Sequence, residues 1–444
     1  MTEKMKPSGI AWIGDIPQDW NIKRVKYLAS LKGRIGWQGL TSDEYIDEGP
    51  YLITGIDFQN GGIDWNNCVH VSEERWAEAP EIHIQNGDLL ITKDGTVGKV
   101  AIVSGLEGKA SLNSGVLLIR TNPDFDKRFL FWVLQSEEFW TWFRLKNAGN
   151  STIIHLYQGD FAEFSYTFPN TVEQRAIADF LDSQCAKIDS VIADIEKQIE
   201  TLQKYKKSLI TETVTKGLDR SVPMKDSGIE WIGVIPTTWN VRPLKHLTNS
   251  IIDGTHHTPT YIDDGVPFLR VTDITSEDDI DKPINLDTVA RIPIAEHKEL
   301  LLRCAPQKGD LLVSKNGTIG VPKIVDWDWE FSMFVSLCLI KLKEPLLNKW
   351  LYYYFKSSLS ATEIAFGGKT NTITNLHLEK IANFKIPLPL IDEQVKICEY
   401  LDKKIRTIDE MMAHKKQQLE LIIQHKKSLI YEYVTGKKRV TEVN

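Results

Sequence analysis

The pattern of apolar and polar positions changes character twice along the chain, in the same way each time. From Thr171 to Val214 there is no proline or glycine, and Leu181, Ile188, Ile195, Leu202 and Leu209 recur every seven residues, with Cys185, Ile192 and Ile199 between them. A second such stretch runs from about Asp392 to Val434. Leu401, Ile408, Ile422 and Leu429 hold one heptad position and Ile405, Met412 and Leu419 the other, with Lys415 interrupting the first series. Both read as long helices with an a/d seam that calls for a partner helix along its length. Forty-four helical residues would span roughly 66 Å. The simplest partner for each is the other, antiparallel, although each could dock on another subunit. Gly217 and Gly436 stand where a helix C-terminus wants a left-handed residue. Elsewhere the pattern is mixed: GDLLITKDGTVGKVAIV alternates about Asp94-Gly95, and its counterpart alternates about Asn316-Gly317, which predicts hairpins. Arg128–Leu145 and Asn348–Leu359 read as aromatic-rich buried helices.

These two patterns are copies. MKPSGIAWIGDIPQDW at 5–20 returns as MKDSGIEWIGVIPTTW at 224–239, identical at eleven of sixteen positions at an offset of 219. GDLLITKDGTVG at 87–98 returns at 309–320 as GDLLVSKNGTIG, and Glu173-Gln174, Leu181-Asp182, Ile188-Asp189 and KKSLI at 206–210 return 220 residues later. Three blocks in one order at a nearly constant offset make an internal duplication. The expected division is 1–170 globular, 171–217 helix, 218–390 globular, 391–436 helix and 437–444 tail. Between the blocks the halves diverge, and 31–86 shares little with 251–308. A constant frame around unlike contents suits one device tuned to two targets; neutral drift of surface loops is the plainer alternative.

Composition narrows the chemistry. A 444-residue chain with 42% hydrophobic and 25% charged residues is that of a soluble globular protein with several domains. No stretch approaches the roughly 20 apolar residues of a membrane span, and the N-terminus lacks the apolar core of a secretory signal, so the cytoplasm is expected. Five scattered cysteines suggest neither a disulfide framework nor a zinc site. The net charge of −7 does not advertise a nucleic-acid binder, so any DNA contact must come from local basic positions or be shared with a partner.

Candidate contacts fall in the repeated hairpins, in the divergent stretches and in the polar stretches that recur before each long helix. Lys93, Lys99 and Lys315 flank the hairpin turns, where a lysine can reach phosphate; a solvated hairpin is the bland reading. Arg34 and Gln38 in GRIGWQG suit bidentate contacts to base edges, and the matching GTHHTPTY offers His256 and His257, which are adjacent and lack a third ligand at useful spacing for a metal. Asn150 and Ser151 in KNAGNSTI, with Lys369, Thr370 and Asn371 in FGGKTNTI, could bind phosphate or simply cap turns. GGKT is not a nucleotide loop, because Glu363 stands where that motif needs glycine. The repeated Trp12/Trp231 and Trp20/Trp239 read as packing anchors at the base of each helix. No methyltransferase, Walker, zinc-protease or nucleophile-elbow motif is found, and no catalytic or metal residue is assigned.

With the two SGI-x-WIG-x-IP-x-x-W segments, the two GDLL hairpins, DGTHHTP at 253–259, the Glu-Gln helix openings and the KKSLI ends, the sequence resembles the specificity subunit of Type I restriction-modification systems over essentially its whole length. The resemblance implies an α+β fold: two target-recognition domains joined by two long antiparallel coiled-coil helices, with pseudo-two-fold internal duplication. It implies that each domain reads one part of a bipartite double-stranded DNA target. It also implies two methylation subunits carrying S-adenosylmethionine, and restriction subunits using ATP and Mg²⁺, with no cofactor on this chain. The helix seams Leu181, Ile188, Ile195 and Leu202, and Leu401, Ile408, Ile422 and Leu429, are then the helix or partner interface. A cryptic methyltransferase or nuclease, and a helical scaffold that binds no DNA, are the rival readings.

If the helices set the spacing, four residues added to each should lengthen it by about 6 Å, near two base pairs at roughly 3.4 Å each. The unread spacer in the methylated motif should grow accordingly, and an unchanged spacer would contradict this.

Overall fold

The computed structural model describes residues 4–34, 40–148, 154–275, 283–344, 347–366 and 375–440. The chain divides into two compact units, 1–196 with 417–444, and 197–416. Each combines a globular part with the beginning of one long helix and the end of the other. The helices run Thr171–Lys216 and Ile391–Val434. Their Glu-Gln openings have a local purpose: Gln174 and Gln394, both buried, donate from Nε2 to the carbonyls of Pro169 (2.9 Å) and Pro389 (2.8 Å), tying the first turn to the preceding strand.

In the first unit an antiparallel four-stranded sheet has the order 100–102, 89–92, 116–121, 29–33. A three-stranded sheet of 110–112, 46–53 and 69–70 includes one parallel pair. A hairpin of 5–7 with 15–17, and the pair 21–24 with 165–168, complete the strands that lead to the long helix. The second unit repeats this plan. Its four-stranded sheet is 248–253, 337–342, 311–314, 322–324, its three-stranded sheet 290–292, 266–269, 332–333, and its pairs are 224–226 with 234–236 and 240–243 with 385–388.

Alternation along the central strands explains why the four-stranded sheet is buried on both faces. Leu89, Ile91, Leu117 and Ile119 face the aromatic helices Lys127–Gln135 and Glu137–Lys146, whereas Leu90, Val116 and Leu118 face the three-stranded sheet with Ile53, Ala110 and Leu112. In the second unit Leu311, Val313, Cys338 and Ile340 face helices Leu347–Lys356 and Ser358–Ala365, and Leu312, Leu337 and Leu339 face the other way.

Neither helical-face core closes without both long helices. In the first unit Ile177, Ala178, Leu181 and Cys185 pack with Ile430 and Val434; in the second Ile397, Cys398, Leu401 and Ile405 pack with Ile210 and Val214. Of the seam residues, Leu181, Ile195, Leu401 and Ile408 are buried, and Ile188, Leu202, Ile422 and Leu429 half-buried. Trp20 and Trp239 are fully buried at the helix bases. Gly436, at φ +71°, lies so close to Pro17 that a Cβ would stand 2.5 Å from its ring; Gly217, at φ +72°, sits less tightly, where a Cβ would stand 3.1 Å from the Glu393 carboxylate and 3.3 Å from Trp239. Residues 437–440 continue onto the first unit, where Arg439 bonds Glu173 (Nε–Oε1, 2.6 Å) and Asp19 (Nη2–Oδ2, 2.8 Å).

Where each apolar seam would continue, a lysine stands instead. Lys206 in the second unit bonds both carboxylate oxygens of Asp409 (2.6 and 2.7 Å), and Lys426 in the first unit bonds Asp189 in the same way. The two pairs are copies of one another and share one antiparallel register. A polar pair inside an apolar seam selects register at some cost in stability.

The hairpins differ from the two-residue turn that Asp-Gly and Asn-Gly suggest. Seven residues, 93–99 and 315–321, separate the paired strands. The cause is a buried hydroxyl. Thr92 Oγ1 donates to the Thr96 carbonyl (2.5 Å) and accepts from the Lys99 amide (2.9 Å); Ser314 Oγ does the same with Thr318 (2.5 Å) and Val321 (2.8 Å). Gly98 and Gly320 then turn with positive φ against Trp140 and Ile364, where a Cβ would fall 2.4 and 2.7 Å from side-chain atoms.

Two outcomes follow for stability. Thr92→Val or Ser314→Ala strands backbone groups and should cost about 1–2 kcal/mol in urea unfolding. A double-mutant cycle on Lys206→Met and Asp409→Asn should give a coupling of about 1 kcal/mol; zero coupling would mean that the pair does not hold the register.

Candidate nucleic-acid interface

The divergent stretch, the repeated hairpin and the polar stretch before the long helix are far apart in sequence in each half, and hydrogen bonds tie their described ends together. In the first unit the Lys93 amide donates to the Gly115 carbonyl (2.8 Å), and the Leu156 amide donates to the Lys93 carbonyl (3.0 Å). The hairpin turn is therefore held between the approach to strand 116–121 and the segment following KNAGNSTI. Gln158 Nε2 donates to the Leu31 carbonyl (3.2 Å), adding the strand that leads into GRIGWQG. The second unit repeats the frame: Lys315 donates to Ser336 (2.8 Å) and Leu376 to Lys315 (2.9 Å).

Upon this shared backbone frame the side chains differ. In the first unit the Asp94 carboxylate accepts from His155 Nδ1 at 2.5 Å. The equivalent positions in the second, Asn316 and Asn375, meet instead through a backbone bridge. In the second unit Gly254 passes so close to the Met333 carbonyl that a Cβ would lie 2.0 Å from it, and the Thr255 amide donates to the same carbonyl (3.0 Å). That contact fixes the point from which DGTHHTP leaves the sheet.

Among the expected contact residues, Lys99 is exposed, with Nζ 3.4 Å from the Gly55 carbonyl, and Lys93 is half-buried. His256 and His257 are exposed; His257 Nδ1 bonds the Thr255 hydroxyl (2.8 Å) and lies near Glu296 (3.8 Å). Gln38, Asn150, Ser151, Lys369, Thr370 and Asn371 lie outside the described residues.

Two expectations are corrected. Lys315 does not sit out at a loop tip: it is 4% exposed, and its ammonium is paired with buried Asp253 at 2.9 Å. Arg34 is 3% exposed and turns inward, donating from Nε to the Leu112 carbonyl (2.8 Å) and from Nη2 to Ser111 Oγ (3.2 Å). Both side chains bond within the interior of their own unit.

Several residues that matter here escaped the sequence reading. Asp253 is the clearest: it is buried, and Arg303 Nη2 (2.6 Å) and His256 Nε2 (3.2 Å) also bond it. Burial works to raise its carboxyl, and Lys315, His256 and Arg303 outweigh that and hold it below the usual carboxylate range. Its signal was its place at the head of DGTHHTP. Thr92 and Ser314 also had a signal, a hydroxyl kept through a Thr/Ser exchange. Arg303 had none.

No helix among the described residues is long and apolar enough to cross a membrane. The family described as the Type I restriction modification DNA specificity domain matches twice, over 17–201 and 236–421. The Type I restriction enzyme MjaVIII specificity subunit of Methanocaldococcus jannaschii is 26% identical, over 97% of this chain and 95% of its own length. The EcoBI specificity subunit of Escherichia coli is 25% identical, over 83% and 74%. A chain from a solved type I R-M system has the same fold, with a TM-score of 0.68 at 16% identity, covering 95% of this chain and 99% of its own. The chain belongs to the Type I restriction-modification DNA specificity family, whose domain it carries twice.

Proposed function

We infer that this chain is the sequence-reading subunit of a Type I restriction-modification complex, each unit recognising one part of a bipartite DNA target. One observation carries this most directly: two units with the same sheet order and the same hairpin frame anchor the ends of unlike stretches to that frame. Loops at the rim of a rigid scaffold can vary without disturbing the core, which is what specificity needs. In this reading the chain performs no chemistry. Two methylation subunits supply S-adenosylmethionine, restriction subunits supply the ATP- and Mg²⁺-dependent steps, and the complex works in the cytoplasm. A net charge of −7 fits a subunit whose partners share the hold on phosphate.

Exchanging residues 31–165 for those of a relative should change one half of the methylated motif and leave the other. Changes in both halves would refute independent reading, and methylation or cleavage by the chain alone would favour a cryptic enzyme. Lys93→Gln and Lys99→Gln should each weaken binding across sequences and lower the salt slope of log K by about 1. The assay is fluorescence anisotropy of the assembled complex at several salt concentrations.

A further inference from the structure

We propose that Asp253 is the positioning residue of the second unit's reading edge, with Lys315 as an internal strut instead of a DNA contact. The inference rests on the function proposed above and adds which residues set the second unit's specificity. Asp253 ends strand 248–253, and its side chain is 6% exposed. Three side chains converge on it from three places: the ammonium of Lys315 from the hairpin, the guanidinium of Arg303 from the turn after helix Ile294–Leu301, and the imidazole of His256 from the divergent loop itself. A buried ammonium such as that of Lys315 is tolerated only with a partner, so the pair holds together as a unit. The backbone then leaves Asp253 through Gly254, pressed on the Met333 carbonyl, and the Val335 amide returns a bond to the Thr255 carbonyl (2.9 Å). Carboxylate and backbone together fix where His256 and His257 emerge.

The duplication supplies the control. Gly33 ends its strand opposite Leu117, as Asp253 ends its own opposite Cys338. The first unit thus has glycine where the second has the aspartate, and Lys93 makes no side-chain hydrogen bond or ion pair among the described residues. Yet the first unit builds the same hairpin, the same hydroxyl clasp and the same backbone bonds to its neighbours. The Asp253–Lys315 pair is therefore not what the hairpin needs in order to form. What it adds is a buried ion pair between the hairpin lysine and the strand end from which the divergent loop leaves, a pair that Lys93 does not make among the described residues. The same lysine in the two copies has two duties: in the first it remains at the edge, and in the second it is withdrawn to hold a loop.

The test uses the full chain assembled with its methylation subunits, acting on a DNA library randomised across both half-sites, with methylated positions read by sequencing. Wild type should return a bipartite motif; its absence would overturn the function proposed above, which is a separate failure. Asp253→Asn, and Asp253→Asn with Lys315→Met so that no buried charge is stranded, should relax base preference about tenfold in the second unit's half. The other half should remain intact. A folded double variant with an unchanged motif, or with both halves relaxed alike, would overturn the proposal. Should both variants fail to fold, Arg303→Gln decides, because that side chain is 57% exposed and its loss strands less. Relaxation confined to the same half supports the proposal; an unchanged motif overturns it.

Discussion

Everything in this molecule depends on where two long apolar seams are buried. A helix of 46 or 44 residues with a heptad stripe cannot satisfy that stripe alone. Here the stripe does two things at once. Within each unit it pairs the start of one helix with the end of the other, and it also closes the core under a sheet. Ile430 and Val434 are as much part of the first unit's core as Leu28 or Phe129. The end of the chain must therefore return to its beginning, and Gly436 against Pro17, with Arg439 on Asp19 and Glu173, shows how closely it does. The lysine–aspartate pairs add register to an attraction that is otherwise non-directional.

With the core settled by the helices and the doubly buried sheet, the opposite requirement can be met at the edge. The hairpin turn, the approach to the central strand and the segment before the long helix are tied by backbone bonds and one buried hydroxyl. Those ties ask nothing of most side chains around them. The neighbouring stretches are thereby free to differ between the copies, as Asp94–His155 and Asn316–Asn375 do. Stability resides in the frame, and discrimination in what the frame holds out.

Much of this was legible in the sequence. The repeat, the heptads and the strand alternation about both hairpins are periodic signals, and the α+β architecture with long paired helices follows from them. The hairpins stand where the alternation places them, but their seven-residue loops are not written in Asp-Gly or Asn-Gly, because they depend on the buried Thr92 and Ser314 hydroxyls. Lys93 and Lys315 looked alike because their immediate neighbours are alike. What separates them is Asp253, which lies 62 residues before Lys315 and becomes its neighbour only after strand pairing. The inward turn of Arg34 is hidden for a similar reason: its acceptors, Leu112 and Ser111, come from a strand some 77 residues away. Direction of a polar side chain, inward or outward, is a tertiary property, and local composition does not encode it.

If two similar frames read two different parts of one DNA sequence, methylation by the complex must follow a bipartite motif. The most direct measurement is a genome-wide map of N6-methyladenine in the host with this gene present and deleted, with the partner methylation subunit expressed in both. Methylation at a single bipartite motif should disappear on deletion and return on complementation. An unchanged map would contradict this.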